Sequence, residues 1–273
     1  MMEKLFGGIL YNRDRVRFDA IRNVATKFAG SFIGENIIRD GIFSVVENYA
    51  RNREMPLEWI RIPIEDQELC ACTFIREGRI FVLMNTEIPF FKQIFAAAHE
   101  LYHIRCYLED GNDGLERNGS ILKLNTIDDG TTELEEMEAN AFAGLLLVPF
   151  DYLRRQMEIY QIDKDTMGMD EILLLVDVFA IPYKAMVIRL MEEQLINEDT
   201  AKELASIPSE DVRARMSIIG KGKRWDAAPE GNEMLGSLEE NMLVNENNET
   251  LPPSRMKSDR EKLAAIKKRY GIN

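Results

Sequence analysis

Residues 95–103 read Phe95-Ala96-Ala97-Ala98-His99-Glu100-Leu101-Tyr102-His103. The approach to this stretch, residues 90–98, is almost wholly apolar, and it predicts a helix that is buried in the core. His99 and His103 are the only two histidines in the 273-residue chain. Residues four apart on a helix share one face, so both imidazoles can reach a single ion.

The pattern H-E-x-x-H also carries a glutamate in a defined position. Glu100 lies between the histidines, where it can hold a water molecule at the ion and accept its proton. The alternative is two surface histidines on a polar helix, but it requires the only two histidines of the chain to fall four residues apart by chance, with a glutamate in the correct position between them. The spacing therefore predicts a metal site with His99 and His103 as ligands and Glu100 as general base.

A catalytic zinc site needs a third protein ligand and one open position. Since no other histidine exists, that ligand must be a carboxylate or a thiolate. Glu136 and Asn140 are four residues apart at the start of a second apolar helix, so one can bind the metal while the other supports a ligating histidine. The neighbouring Glu133 and Glu135 are expected only to solvate the N-terminus of that helix.

Cys106 is the second candidate for the third ligand. It lies on the same helical face as the two histidines, and a His-His-Cys set is chemically allowed. Three ligands from consecutive turns of one straight helix converge poorly on a tetrahedral centre. A small core residue beneath the site is the favoured interpretation of Cys106, and Glu136 is the favoured ligand.

Composition limits the classes of function. The formal net charge is −13, which argues against a sequence-independent grip on DNA or on an anionic membrane. The longest apolar stretch, residues 139–150, is too short to span a bilayer, and the N-terminus lacks the features of a signal peptide. Three cysteines without framework spacing suit a reducing cytoplasm. The expectation is a cytoplasmic protein with no membrane or direct nucleic-acid partner.

Periodicity predicts an α+β fold. Three strands precede the histidine helix, and Glu77-Gly78 between the second and third has the chemistry of a hairpin turn. A polar loop is expected over residues 109–131. The predicted strands are 57–64, 69–75 and 79–85, and the predicted helices are 13–30, 35–51, 89–108, 132–147, 150–160, 168–180, 183–195 and 198–206.

Two stretches of the chain resemble a known family. Residues 95–103, as quoted above, and Glu136-Met137-Glu138-Ala139-Asn140-Ala141-Phe142-Ala143-Gly144-Leu145-Leu146-Leu147-Val148-Pro149 are similar to the A-H-E-L-x-H and E-x-E-A-N-x-F-A-x-x-L-L-x-P motifs of the ImmA/IrrE metallopeptidases. The resemblance extends over roughly residues 15–205. It implies one zinc ion held by His99, His103 and Glu136, with Glu100 as the base.

The resemblance also implies a function. It predicts a gluzincin-like zinc endopeptidase that cleaves a helix-turn-helix repressor and so releases phage, mobile-element or stress genes. The alternative is a non-catalytic, metal-stabilised anti-repressor, or a toxin–antitoxin type component, that acts by protein binding. An extended substrate is expected to add alongside strand 79–85. Tyr102, Tyr152 and Tyr183 are the candidates for oxyanion or pocket residues, although packing is favoured for Tyr102.

Four regions follow from these patterns. Residues 1–160 are expected to form a zincin-like domain, in which a small, three-stranded, mainly antiparallel sheet packs on helices. Residues 161–206 are expected to form a helix-turn-helix-like subdomain, whose charges offer no net positive face for DNA. Residues 207–254 are predicted to be a flexible acidic linker. Residues 255–273 are predicted to be a basic helix that is either simply solvated or docked on the linker, on the catalytic domain or on a partner. The sequence does not determine the oligomeric state.

Overall fold

The computed structural model describes residues 2–34, 36–66, 68–229, 232–248 and 250–272. Among these residues, none of the helices combines the length and the apolar composition that a membrane span requires. The strands are β1 (Leu57–Ile62), β2 (Leu69–Arg76), β3 (Arg79–Asn85), β4 (Ser120–Lys123) and β5 (Met234–Leu235). The α-helices are α1 (Met2–Gly7), α2 (Leu10–Arg13), α3 (Arg15–Phe32), α4 (Ile42–Arg51), α5 (Phe90–Asp110), α6 (Gly114–Arg117), α7 (Leu124–Asp129), α8 (Leu134–Leu147), α9 (Phe150–Ile159), α10 (Met169–Phe179), α11 (Tyr183–Glu192), α12 (Glu198–Ala205), α13 (Ser209–Ile219), α14 (Leu238–Asn247) and α15 (Pro253–Tyr270).

The sheet has five described strands in the order β4-β2-β3-β1-β5. β1 pairs in parallel with β3, whereas the other three pairings are antiparallel. The predicted α+β class is consistent with this architecture, but the prediction of a three-stranded sheet is wrong. The two extra strands have only four and two residues, too few to produce an alternating pattern in the sequence.

The turn between β2 and β3 explains why their pairing can be predicted from the sequence. Glu77 has φ of 51° and Gly78 has φ of 71°. Positive φ at both central residues is the conformation that a two-residue hairpin turn prefers, because its twist matches that of the flanking strands. Arg76 and Arg79 are therefore directly paired, and the register continues to Ala71 opposite Met84.

Helix α5 lies at the centre of the core. Every residue from Phe90 to Cys106 except Lys92 is buried, as the apolar approach predicts. The helix packs against β2 on one side and against α8 on the other. The prediction of a polar loop over residues 109–131 is wrong, because this segment contains α6, β4 and α7.

The helix pair α10–α11 has the proportions of a helix-turn-helix. Its turn is short, and Ala180 takes the left-handed conformation with φ of 57°. The second helix is mostly buried, including Met186, Val187 and Leu190. It therefore presents a packing face, and not a free recognition face, to the rest of the described chain.

The stretch 207–254, predicted to be a flexible linker, contains α13, β5 and α14. Asn232 is buried there and donates from Nδ2 to Gln93 Oε1 at 3.0 Å, while its Oδ1 accepts from Arg61. The acidic composition does not reveal these contacts, because they are made with distant residues. Glu230 and Glu249, which belong to the same stretch, lie outside the described residues.

The basic C-terminal segment forms α15. It docks on α14 through ion pairs between Arg260 and Glu246 at 2.5 Å and between Lys267 and Glu239 at 2.8 Å. Of the three docking partners considered from sequence, the acidic stretch is the one observed. The division of the chain into four domains stays a prediction.

Candidate metal centre

Three side chains from two helices converge on one point. His99 and His103 come from successive turns of α5, and Glu136 comes from the first turn of α8. The two imidazole Nε2 atoms are 3.2 Å apart. Glu136 Oε2 lies 3.3 Å from His99 Nε2, and Glu136 Oε1 lies 3.4 Å from His103 Nε2. Both histidines are buried, and Glu136 is nearly so.

These distances can be compared with the size of a zinc site. Zinc binds histidine nitrogen and carboxylate oxygen at about 2.0–2.1 Å with tetrahedral geometry. The edge of such a tetrahedron is about 1.6 times the metal–ligand distance, or about 3.3–3.4 Å. The observed separations of 3.2, 3.3 and 3.4 Å match that edge. The donor set and its spacing therefore fit a tetrahedral ion with one further position.

The outward nitrogens of both rings are held by acceptors. His99 Nδ1 contacts Asn140 Oδ1 at 2.9 Å, and His103 Nδ1 contacts Glu135 Oε1 at 3.2 Å. Because an amide oxygen and a carboxylate can only accept, each Nδ1 carries the proton. In the neutral rings both Nε2 lone pairs then face each other, and a cation between them removes the repulsion.

The pKa shifts of His103 and Glu136 also indicate that the cluster favours a bound positive charge. Burial lowers the pKa of His103, but hydrogen bonds with Glu135 and Glu136 outweigh it and raise this pKa to about 10. Burial raises the pKa of Glu136, but hydrogen bonds with His103 and His99 outweigh it and hold this pKa well below its usual value. Without a metal, the cluster thus attracts a proton; with one, the same negative charge is available to the ion.

Glu100 lies one residue beyond the first ligand and is fully buried. Ser120 Oγ donates a long hydrogen bond of 3.5 Å to Glu100 Oε1. Glu100 Oε2 has no described partner. Thr73 is directly opposite Ser120 in the sheet, so the two hydroxyls share the face on which α5 packs. A carboxylate with one free oxygen in a dry setting is suited to accept a proton from a substrate or water.

Among the described contacts, none of the remaining predicted residues forms a hydrogen bond with the three ligands, although the Tyr102 ring lies edge-on to His103. Tyr102 is buried, and its hydroxyl donates to Glu138 Oε2 at 2.9 Å, which agrees with the packing interpretation. Cys106 is buried and is not part of the described metal-compatible group, which comprises His99, His103 and Glu136. For Tyr152 and Tyr183 the described chain contains no hydrogen bond to this group, and the Tyr183 hydroxyl is buried without a partner.

Sequence reasoning missed three residues around the site. Glu135 contacts His103 and is therefore more than a solvating residue at a helix start. Ser120 supports Glu100, and Glu138 holds Tyr102. The E-x-E motif of Glu136 and Glu138 carried a signal for Glu138, whereas Glu135 lies outside that motif and Ser120 lies on a strand too short to recognise from sequence.

Comparison with known proteins supports this description. Residues 60–191 match the model of a peptidase family described as IrrE N-terminal-like domain. The matched range includes β2, β3, α5 and α8, and hence all three candidate ligands. No curated protein matches the chain.

Proposed function

We propose that residues 60–191, which form a domain of the ImmA/IrrE peptidase family, act as a zinc-dependent endopeptidase. The convergence of His99, His103 and Glu136, with ligand atoms 3.2–3.4 Å apart, is the observation that carries this proposal. The family match supports peptide-bond hydrolysis as the class of reaction.

In the proposed reaction the metal activates water and the scissile carbonyl, and Glu100 transfers the proton. When bound, zinc supplies Lewis acidity, which lowers the pKa of a water molecule and polarises the scissile carbonyl. The Glu100 carboxylate takes the proton from that water and returns it to the leaving amine. Ser120 fixes one oxygen of Glu100, which leaves the other free for the proton.

The substrate is proposed to bind as an extended strand at β4. The expectation that it adds alongside β3 is wrong, because β3 pairs with β2 on one side and with β1 on the other. β4 pairs only with β2 among the described strands, so its second edge is available for main-chain hydrogen bonds. Ser120 lies on β4 and contacts Glu100, so this edge runs past the proposed base.

The proposed substrate is a helix-turn-helix repressor. The resemblance of residues 95–103 and 136–149 to the family motifs supports it. The burial of α11 supports a protein substrate over direct DNA binding, since this helix has no free face for a groove. Cleavage of a cytoplasmic repressor would release the genes that it silences.

Glu100→Gln is the variant that tests catalysis. It keeps the size of the side chain and does not touch the three ligands, so we expect full zinc content and a loss of peptide cleavage of at least about 100-fold. The substrate is the repressor encoded beside this gene, and cleavage is followed by mass spectrometry. Glu87→Gln, the same substitution at an exposed site, is the matched control and should cleave normally.

The same variant separates cleavage from binding. If Glu100→Gln protein releases the repressor from its operator as well as the unchanged protein does, the function is that of a non-catalytic anti-repressor. If the variant loses zinc together with activity, Glu100 is a ligand or a structural residue, and its proposed role is refuted.

A further inference from the structure

The face of the sheet opposite α5 carries an apolar patch. Because side chains alternate between the two faces of a strand, every second residue of β2, β3 and β4 points away from α5. Strand pairing places these outward residues side by side. Phe74 pairs with Phe81 in one row. Leu83 pairs with Cys72, and Cys72 pairs with Ile121, in the next row. We call these five residues the outer patch.

The outer patch lies outside the main core. Ser120 contacts Glu100 on α5, so Ile121, the next residue of β4, points to the opposite face. Ile121 is 55% exposed, and the other four side chains of the patch are half-buried. None of the five belongs to the core cluster of the described residues or is packed against it. Phe74 and Phe81 stack on each other instead, with ring centroids 5.3 Å apart.

The outer patch is closed at one end and open at the other. Glu58 of β1 is paired with Phe81 and so shares the outer face. The main-chain N–H and the hydroxyl of Ser237 both donate to the Glu58 carboxylate at 2.6 Å, so the chain after β5 crosses the sheet there. At the other end, Ile121 lies on β4, which pairs only with β2 among the described strands. The patch thus reaches the edge at which the substrate is proposed to add.

The size of the outer patch limits what can bind there. It spans three strands about 4.8 Å apart and two outward positions about 6.8 Å apart along them, which gives an area of about 200 Å². A stable protein–protein interface buries about 800 Å² on each partner. The patch alone is therefore too small for a stable dimer. A partner that covers it must bind a neighbouring surface at the same time, and the open edge of β4 adjoins it.

We infer that the outer patch docks the protein substrate beside its scissile segment. This inference rests on the proposed function, in which the substrate adds to β4 as a strand. Alternate side chains of such a strand lie on the two faces of the sheet. On the α5 face they lie near Ser120 and Glu100, where the bond is cleaved. On the outer face they lie beside Ile121, with about 5 Å between Cβ atoms. The substrate strand therefore carries apolar side chains on its outward side, which continue the row formed by Leu83, Cys72 and Ile121.

Binding of the repressor to a non-cleaving form of the protein tests the inference. Ile121→Thr keeps a β-branched side chain on the strand and removes apolar surface that is already exposed, so we expect it to fold. In zinc-loaded Glu100→Gln protein it should weaken repressor binding about two- to fivefold in biolayer interferometry, because one apolar cross-strand contact is lost. Phe74→Thr combined with Phe81→Thr should weaken binding at least about tenfold, because two aromatic rings are lost. Ile159→Thr on α9, where Ile159 is 59% exposed, is the matched control and should leave the affinity unchanged.

Cleavage kinetics separate the docking surface from the catalytic site. In otherwise unchanged protein, the outer-patch variants should raise KM for the repressor and leave kcat unchanged, because the patch lies on the opposite face from the three ligands and Glu100. Zinc content and melting temperature establish that each variant is folded. Failure of the unchanged protein to cleave a repressor that it still binds contradicts the proposed peptidase function and not the docking surface.

Three results would overturn the inference. The first is an unchanged affinity and KM in folded Ile121→Thr protein and in the double variant. The second is the absence of repressor binding to the unchanged protein. The third concerns a different occupant and is measured by sedimentation equilibrium: a dimer of the unchanged protein that Ile121→Thr dissociates would assign the outer patch to a second copy of the chain.

Discussion

Substitution of Glu136 by Gln is the most direct test of the candidate metal centre, because the chain supplies a matched control next to it. Glu136 and Glu135 both contact His103, but on opposite ring nitrogens. Glu136 faces Nε2 at 3.4 Å, and Glu135 faces Nδ1 at 3.2 Å. Glu136→Gln removes a charged ligand, whereas Glu135→Gln keeps an oxygen that can still accept from Nδ1.

The size of the effect follows from these positions. Substitutions that only disturb the support of a ligating histidine typically cost 10- to 100-fold in metal affinity. Loss of the anionic ligand should exceed that range, so we expect Glu136→Gln to weaken zinc binding by more than about 100-fold, or about 2.7 kcal/mol. Glu135→Gln should cost about tenfold or less, because its amide oxygen replaces the lost acceptor.

Competition with a chromophoric chelator measures both affinities at one pH and one protein concentration. X-ray absorption of the unchanged zinc-loaded protein supplies a second measurement. The 3.2–3.4 Å triangle of donor atoms predicts first-shell distances of about 2.0 Å with nitrogen and oxygen donors and no sulfur. Equal losses for the two variants, or a sulfur distance of about 2.3 Å, would refute the assignment of Glu136.

Three further predictions concern stability and reactivity. Gly144→Ala should lower the free energy of unfolding by about 1–3 kcal/mol, because its new Cβ would lie 2.9 Å from Cδ of the buried Arg189. Gly30→Ala is the control: its Cβ would meet open space, so it should not destabilise the protein. Urea titration measures the free energy of unfolding of both variants. All three cysteines should react slowly with a thiol reagent at pH 8 until the protein is unfolded. Burial raises the pKa of Cys72 and Cys106 to about 11 and that of Cys70 to about 12, so the thiolate fraction at pH 8 is at most about one in a thousand. A chain that ends at Lys223 should be less stable by about 2–4 kcal/mol, since it lacks buried Asn232 and the Trp225 ring that stacks on Phe90. A chain that ends at residue 248 keeps both and should unfold like the full chain. Thermal unfolding of the chain that ends at Lys223 at the same temperature as the full chain would contradict this.

The parts of the fold that sequence predicts are those set by local chemistry. The β2–β3 hairpin is encoded in Glu77-Gly78, and α5 in its apolar approach. The four-residue spacing of His99 and His103, and the equal spacing of Glu136 and Asn140, also indicate the site, because helical geometry fixes which side chains share a face. These features can be predicted without knowing which other parts of the chain pack against them.

The missed parts depend on distant partners. β4 is four residues long and is a strand only because β2 lies beside it, and β5 depends on β1 in the same way. Glu135 and Glu136 are consecutive, so sequence cannot say that one faces Nδ1 and the other Nε2 of the same histidine. That distinction follows from how α8 is rotated against α5, which the packing of the whole core determines.

The positions of the tyrosines restrict how the proposed reaction can stabilise charge. Tyr102 donates its hydroxyl to Glu138, and the described chain contains no hydrogen bond from Tyr152 or Tyr183 to the three ligands. With both histidines used as ligands, Glu100 is left to accept the proton and to return it, and the partnerless oxygen of Glu100 suits both steps. Hydrogen bonds to the substrate then come most simply from the main chain at the open edge of β4. In the proposed reaction such donors depend on the position of the strand and not on a side chain, so holding the substrate requires no further titratable group.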